Sequence, residues 1–184
     1  MVVVMENFVE HQISKIVIRY LNDTIQRYGH AWVSCPNQEP ETEFERNVVN
    51  LAAAFEKDHF PELVQLGNWL TMDCNEDYLR IKKILIADIR QKTNKPSDVL
   101  QYLLTWGGLQ AVRAIVKNDP LLALEVKHFL QLTIKQELFD WWRNDGGWVN
   151  FFGVKILFRK VYRFSSFRLE NCVGVRSTRL QLET

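Results

Sequence analysis

Apolar residues recur at three- and four-residue steps along much of the chain, which is the period of an amphipathic α-helix. The first such segment covers about residues 7–28, and Gly29 after it is a typical stop signal. A second segment covers about residues 43–59. Because Pro61 interrupts the backbone hydrogen-bond ladder, the pattern predicts a short separate helix over about 61–70 instead of a continuation.

The hydrophobic pattern then predicts three more helices and a break. Asn75 is a suitable N-cap for a fourth helix, and residues 78–89 provide its apolar face. Pro96 begins a largely apolar fifth helix that ends near residue 116, and Asp119-Pro120 begins a sixth that continues to about residue 139. Residues 144–148 mark a break and a new helix start. No segment of convincing length alternates with the period of a strand, so the sequence predicts an all-α fold.

Composition and charge divide the chain into a body and a tail. The chain has 184 residues, 47% of them hydrophobic, with only 8 glycines and 5 prolines. This composition excludes disordered and low-complexity classes and is typical of one globular domain. The net charge is +1, but residues 155–184 alone carry seven Lys or Arg and two Glu. A mildly acidic domain over 1–154 therefore precedes a basic, aromatic tail over 155–184, and no general positive field indicates nucleic-acid binding.

Neither end of the chain provides a membrane anchor by the usual length criterion. Residues 1–5 are too few for a signal sequence, and the apolar run 151–158 is interrupted by Lys155. The three cysteines are odd in number and widely spaced, which is typical of a reducing compartment. We therefore expect a cytoplasmic protein without a transmembrane helix.

No catalytic or cofactor-binding constellation is visible in the sequence. The four histidines are scattered and lack metal-ligand spacing with one another or with cysteine. The pairs Gly107-Gly108 and Gly146-Gly147 lack the strand–turn–helix context of a phosphate-binding loop, and close helix packing or a turn explains them better. We expect no enzyme activity, no cofactor and no metal site.

Two sequence motifs carry a family resemblance. The segment Trp141-Trp-Arg-Asn-Asp-Gly-Gly-Trp148, followed by Val-Asn-Phe-Phe, resembles the second homology motif of the B-cell lymphoma-2 (Bcl) family of apoptosis regulators. Residues 16–32, which end in Tyr28-Gly29-His-Ala-Trp32, resemble the family's fourth homology motif. Two motifs in the expected order are more specific than either alone. The resemblance covers about residues 7–155 and implies a Bcl-type bundle of about eight helices around a central hydrophobic helical hairpin.

The family's third homology motif falls on the second predicted helix. A ligand-type helix of this kind places four apolar residues at i, i+4, i+7 and i+11, and here these are Phe44, Val48, Leu51 and Phe55. Ala52 supplies the small residue between the last two, while Ala53 stands where the family has an aspartate. The same spacing is found in any amphipathic core helix, so the match depends on the flanking motifs.

The family's first homology motif is only partly present. Thr105-Trp106-Gly107-Gly108 resembles its later part, but Val99 stands where the family has an arginine that pairs with the aspartate of the ligand helix. A ligand aspartate facing Val99 would lack its partner unless Lys92 or Lys95 reached it, so we expect a narrower or weaker set of ligands. The positions matched to homology motifs are Tyr28, Gly29, Trp32, Ala52, Gly107, Gly108, Trp141, Gly146, Gly147 and Trp148.

The resemblance implies recognition of a partner helix in a hydrophobic groove, a binding mode for which this family is a standard example. Packing of the domain core is the alternative role for the same positions, and the two roles are evenly balanced for Leu85 and Leu103. Carried over by position, the groove residues are Phe55, His59, Leu63, Leu66, Leu70, Ile84, Leu85, Val99, Leu103 and Trp106, with Trp148 and Phe151 closing one end.

The implied function is regulation of apoptosis through the death-motif helices of pro-apoptotic relatives. A pro-survival direction is favoured because a first helix of the fourth-motif type is more typical of the protective branch, and Ala53 weakens the second helix as a ligand. The alternatives are a pro-apoptotic multi-motif member, or a membrane-surface or scaffolding protein that kept the fold and lost the groove function. The basic tail suits peripheral contact with anionic membranes, at the mitochondrial outer membrane or the endoplasmic reticulum.

Overall fold

The computed structural model describes residues 2–32, 41–69 and 78–144, and the side chains of 9–32, 41–66 and 78–139. No strand occurs within these ranges, so the all-α prediction is confirmed. The helices are α1 (Val2–Arg27), α2 (Glu43–Trp69), α3 (Tyr78–Lys92), α4 (Pro96–Val116) and α5 (Pro120–Asn144). Compared with the predictions from sequence, α1 begins earlier than residue 7 and α5 ends later than residue 139.

The C-terminal end of α1 is set by Gly29, as predicted. Gly29 has a φ of 81°, a left-handed conformation that only glycine adopts without a steric cost. The amide of Gly29 donates to the carbonyl of Gln26 at 2.9 Å, and that of His30 donates to the carbonyl of Ile25 at 3.0 Å. This pair of bonds is the Schellman arrangement, which satisfies carbonyl groups that a helix end otherwise leaves unpaired.

The connection between α4 and α5 also has a left-handed residue at the helix end, and an N-cap follows it. Asn118 has a φ of 60°, and its amide and that of Asp119 donate to the carbonyls of Ile115 and Ala114, both at 2.9 Å. The Asp119 carboxylate then accepts the amide of Leu122 at 3.0 Å, capping the first turn of α5. The short connection makes α4 and α5 the antiparallel hairpin that the sequence predicts.

α2 differs most from its prediction. It begins with a capping box, in which Thr42 Oγ1 accepts the Glu45 amide and Glu45 Oε2 accepts the Thr42 amide, both at 3.2 Å. It then continues through Pro61 to Trp69. The predicted separate helix over 61–70 is therefore wrong, because the buried side chain of Leu63 anchors the segment after the proline to the same core as the segment before it.

α4 is the central helix of the bundle and packs against α1, α2, α3 and α5. Two adjacent glycines allow neighbouring helices to approach it closely. A Cβ at Gly107 would lie 2.3 Å from Leu130 Cδ1 of α5, and one at Gly108 would lie 2.9 Å from Tyr20 Cε1 of α1. Both glycines therefore serve close helix packing, the alternative preferred for them over phosphate binding.

Candidate helix-binding site

Aromatic side chains of α2 and α4 meet in a surface that we call the α2–α4 seam, defined by Phe55, His59 and Tyr102. The rings of Phe55 and His59 are stacked with centroids 4.0 Å apart and an interplanar angle of 16°. Tyr102 meets Phe55 edge-on at 4.7 Å and His59 at 5.9 Å. Phe55 and His59 are half-buried, which gives the seam an apolar surface that is partly open to a partner.

The spacing of residues along α2 explains why the rings of Phe55 and His59 lie together. Phe55 and His59 are four residues apart on α2 and therefore lie on one face, and His59 Nδ1 lies 3.1 Å from the carbonyl oxygen of Phe55. Leu66, farther along α2, is partly buried and packs against the hydrophobic core. Tyr102, one turn after Val99 on α4, is a seam residue that the sequence analysis did not identify, although its i+3 spacing from Val99 was a signal for it.

The edge of the seam carries carboxylates. The Tyr102 hydroxyl donates to Glu62 Oε2 at 3.3 Å. Burial, followed by the negative charge of Glu62, the hydrogen bond to it, and the charges of Asp88 and Asp98, raises the pKa of Tyr102 to about 12. The Nζ atom of Lys92 lies 5.9 Å from the ring centroid and also donates to Asp88.

Five of the nine groove positions that the structure describes lie in the hydrophobic core. Ile84 on α3 is 44% exposed, while Leu70, Trp148 and Phe151 lie outside the described residues. The fully buried groove positions are Leu63, Leu85, Val99, Leu103 and Trp106.

α3 covers the core on this side and is held by polar contacts at the surface. Its buried residues Ile81, Leu85 and Ile89 recur every four residues and face the core. The Tyr78 hydroxyl donates to Glu125 of α5 at 2.7 Å. Lys82 of α3 bonds to Gln136 at 2.7 Å and forms an ion pair with Glu137 at 3.1 Å. These exposed or half-exposed contacts contribute little to stability, so α3 is held mainly by the burial of Ile81, Leu85 and Ile89.

A buried carboxylate of α2 connects the fourth-motif segment to the bundle. Glu56 is 3% exposed and accepts hydrogen bonds from Tyr20 Oη at 2.8 Å, Arg27 Nη2 at 2.9 Å and Tyr28 Oη at 3.0 Å. Burial, followed by the charge of Glu56 and the hydrogen bond to it, raises the pKa of Tyr28 to about 12. The same causes raise the pKa of Tyr20 well above its usual range.

A second buried carboxylate fastens the start of α2 to α1. Glu45 has no exposed surface and lies 2.7 Å from Arg19 Nε and 3.5 Å from Lys15 Nζ. In contrast, Leu51 is 46% exposed. The apolar face predicted for this helix is therefore correct for the buried Val48 and Ala52 but wrong for Leu51, because carboxylates paired with α1 occupy part of the buried face.

The other motif positions divide into those that the structure describes and those that it does not. Trp32 is partly buried against the core after the turn at Gly29, and Ala53 is half-buried. Trp141 lies in the last turns of α5, and its side chain is outside the described residues, as are Gly146 and Gly147. The motif that begins at Trp141 and its predicted helix start therefore stay predictions.

The described part of the chain shows neither a metal cluster nor a bilayer-length apolar helix. Within residues 2–32, 41–69 and 78–144, no three His, Cys, Asp or Glu side chains come together as ligands for a metal ion. None of the helices in these ranges combines the length and the apolar content that crossing a membrane requires.

The described helices, with α4 packed against the other four, resemble the Bcl-2 fold. The chain is similar to the solved structure of CED-9 from Caenorhabditis elegans, with a TM-score of 0.66. The similarity covers 88% of this chain and 96% of CED-9, at 15% sequence identity. No protein-family model matches the sequence, and no curated protein matches it. The fold implied by the motifs is thus confirmed by structural likeness.

Proposed function

We propose that this protein is a non-enzymatic regulator of apoptosis that binds death-motif helices of pro-apoptotic relatives at the α2–α4 seam, in the pro-survival direction. The observation that carries the proposal is the Bcl-2 fold, which the chain shares with CED-9 over 88% of its length. Fold alone does not assign function. The half-buried rings of Phe55 and His59 add an apolar surface where helix-in-groove recognition would place a ligand helix.

The pro-survival direction is supported by the way α2 is held. An effector that displays this helix as a ligand would have to expose Glu45 and Glu56 and break their bonds to α1. Separating a buried carboxylate from its partner costs about 3–5 kcal/mol. Ala53, at the position of the family's aspartate, further weakens α2 as a ligand. We therefore propose that α2 serves as part of the receptor surface.

The proposal is tested by calorimetry of the full chain against a panel of death-motif peptides. Leu66→Glu places a charge on a half-buried side chain of α2, and we expect it to weaken binding at least about tenfold. Leu121→Glu is the matched control, since Leu121 is 71% exposed on α5. The proposal fails if no peptide binds, or if both variants reduce the affinity equally while both proteins remain folded.

The direction of the response needs a separate experiment in cells. Expression of the protein before a death stimulus is expected to reduce killing if it sequesters pro-apoptotic relatives. Increased killing would instead support the alternative of a pro-apoptotic family member. The cytoplasmic location, with peripheral attachment at the mitochondrial outer membrane or endoplasmic reticulum, is part of this proposal and is checked by fractionation of the same cells.

A membrane-surface or scaffolding protein is the second candidate function. It is favoured by the complete burial of the groove positions Val99 and Leu103, together with the basic composition of residues 155–184. Co-sedimentation with anionic liposomes tests it. Neutralising the Lys and Arg residues of 155–184 is expected to abolish sedimentation if the tail binds the membrane. Unchanged sedimentation would remove the tail from the mechanism.

A further inference from the structure

Two carboxylates at the edge of the α2–α4 seam have no cationic partner among the described residues. Glu62 is exposed and accepts the Tyr102 hydroxyl at 3.3 Å. Asp98 is half-buried and accepts hydrogen bonds from Thr93 Oγ1 at 3.0 Å and Ser97 Oγ at 3.3 Å. All of these donors are neutral hydroxyl groups, so within the described residues no ion pair compensates the negative charge of either carboxylate.

The two lysines near this edge form no ion pair with Glu62 or Asp98 among the described residues. Lys92 pairs with Asp88 one turn earlier on α3. Lys95 is exposed before the start of α4 and forms no ion pair with Glu62 or Asp98 in the described structure. Neither lysine therefore neutralises Glu62 or Asp98 in the described structure.

The position of Asp98 determines which ligand charge is favoured at the seam. Asp98 directly precedes Val99 and lies four residues, about one helical turn, before Tyr102 on the same face of α4. A ligand carboxylate near Val99 would meet a like charge from Asp98 and no donor from Val99, whose side chain is buried. A ligand cation at the same point would face Glu62 and Asp98 and would remain partly hydrated at the edge.

We propose that the α2–α4 seam binds an amphipathic helix more tightly when that helix presents a lysine or arginine, instead of an aspartate, to Glu62 and Asp98. The proposal rests on the proposed helix-binding function and adds the charge of the partner to it. The rings of Phe55 and His59 contact the hydrophobic face of that helix. The two carboxylates contact the ligand residue that directly follows the small residue of the motif, where the family has an aspartate. The charge preference of the family is thereby reversed.

The test uses three peptides of one amphipathic sequence that differ only in carrying Lys, Asn or Asp after the small residue. Binding to the full chain is measured by calorimetry at low and at high salt. We expect the Lys peptide to bind about tenfold more tightly than the Asp peptide at low salt, with the Asn peptide between them, because the contacts lie at a partly hydrated edge. High salt is expected to reduce the ratio.

Variants that neutralise Glu62 and Asp98 test whether these two carboxylates cause the preference for the Lys peptide. The double variant Glu62→Gln with Asp98→Asn is expected to bind the Lys and Asp peptides within about twofold of each other, since the opposing charges are gone. Glu43→Gln is the control, because it also removes a carboxylate but lies at the start of α2, roughly 28 Å along the helix axis from Glu62. It is expected to leave the ratio unchanged, and thermal melting of each variant verifies the fold.

The outcomes separate this proposal from the one on which it rests. If the three peptides bind equally, or the Asp peptide binds most tightly, the charge preference is wrong while helix binding stands. Loss of Asp-peptide binding in Lys92→Met would then identify Lys92 as the replacement for the family arginine. If no peptide binds in any condition, both the helix-binding function and the charge preference are wrong.

Discussion

Replacing Glu56 with alanine is expected to destabilise the protein by removing the acceptor on which the α1–α2 contact depends. The carboxylate is buried between the two helices and accepts bonds from Tyr20, Arg27 and Tyr28, with donor–acceptor distances from 2.8 to 3.0 Å. These three residues are separated from Glu56 by 28 to 36 positions in the sequence. The bonds therefore exist only in the folded chain.

The expected change in unfolding free energy is estimated from the hydrogen bond that each donor loses when Glu56 is removed. Tyr20 has no exposed surface, and an unpaired buried hydroxyl costs about 1–3 kcal/mol. Arg27 is 37% exposed and keeps Asp23 at 2.8 Å, so its contribution is reduced by solvent screening. We expect Glu56→Ala to lower the free energy of unfolding by about 3 kcal/mol, at the lower end of the range for breaking a buried ionic network. Glu56→Gln retains an acceptor for Tyr20 and is expected to cost about 1 kcal/mol.

Urea unfolding followed by far-UV circular dichroism measures the effect. A cycle of Glu56→Ala, Tyr20→Phe and the double variant is expected to show a coupling free energy of about 1 kcal/mol. Asp58→Ala is the control, since Asp58 is exposed two residues later on α2, and we expect a change within about 0.5 kcal/mol. A loss below about 1 kcal/mol for Glu56→Ala would refute the reasoning, because it would mean that the carboxylate is hydrated in solution.

Three further predictions concern α2, α4 and the seam. Pro61→Ala is expected to raise the free energy of unfolding by about 1–2 kcal/mol, because the proline lacks an amide hydrogen inside α2, and a loss in urea unfolding would instead indicate a helix start at Pro61. Gly107→Ala places a Cβ 2.3 Å from Leu130 Cδ1 and is expected to cost about 1–3 kcal/mol in thermal unfolding, a cost that should shrink in a Leu130→Ala background. The raised pKa of Tyr102, about 12 instead of 10, means that the folded state holds the phenolic proton more tightly than the unfolded state. The stabilisation from the protonated Tyr102 hydroxyl should be complete below pH 10 and lost as the pH rises from 10 to 12. The difference in unfolding free energy between the protein and Tyr102→Phe should therefore decrease over that interval. A constant difference would contradict the raised pKa of Tyr102.

Helix positions were predictable where the determining signals are local. Pro96 and Asp119-Pro120 begin α4 and α5, and Gly29 ends α1, because cap and turn preferences depend on residues a few positions apart. The continuation of α2 through Pro61 was not predictable in this way. The lost backbone bond at a proline is a local cost, whereas burial of Leu63 after it is a tertiary gain that outweighs that cost.

The candidate site was predictable only in part. Phe55 and His59 were identified from the family resemblance, and the structure brings them together with Tyr102. The burial of Glu45 and Glu56 could not be predicted from periodicity, because a hydrophobic pattern assigns charged residues to the surface. Their partners lie on α1, and only packing of α1 against α2 brings the charges within bonding distance.

The sequence by itself determined the helical class and the hairpin of α4 and α5, and it supplied the resemblance to two motifs and the valine at position 99. These features depend only on residue types and on the spacing of residues close together in the sequence. Only the tertiary structure decided that Leu85, Val99 and Leu103 are buried and that carboxylates border the seam at Glu62 and Asp98. The physical reason is that burial and charge compensation depend on which helices face each other, and α2, α3 and α4 meet only after the chain has folded around α4.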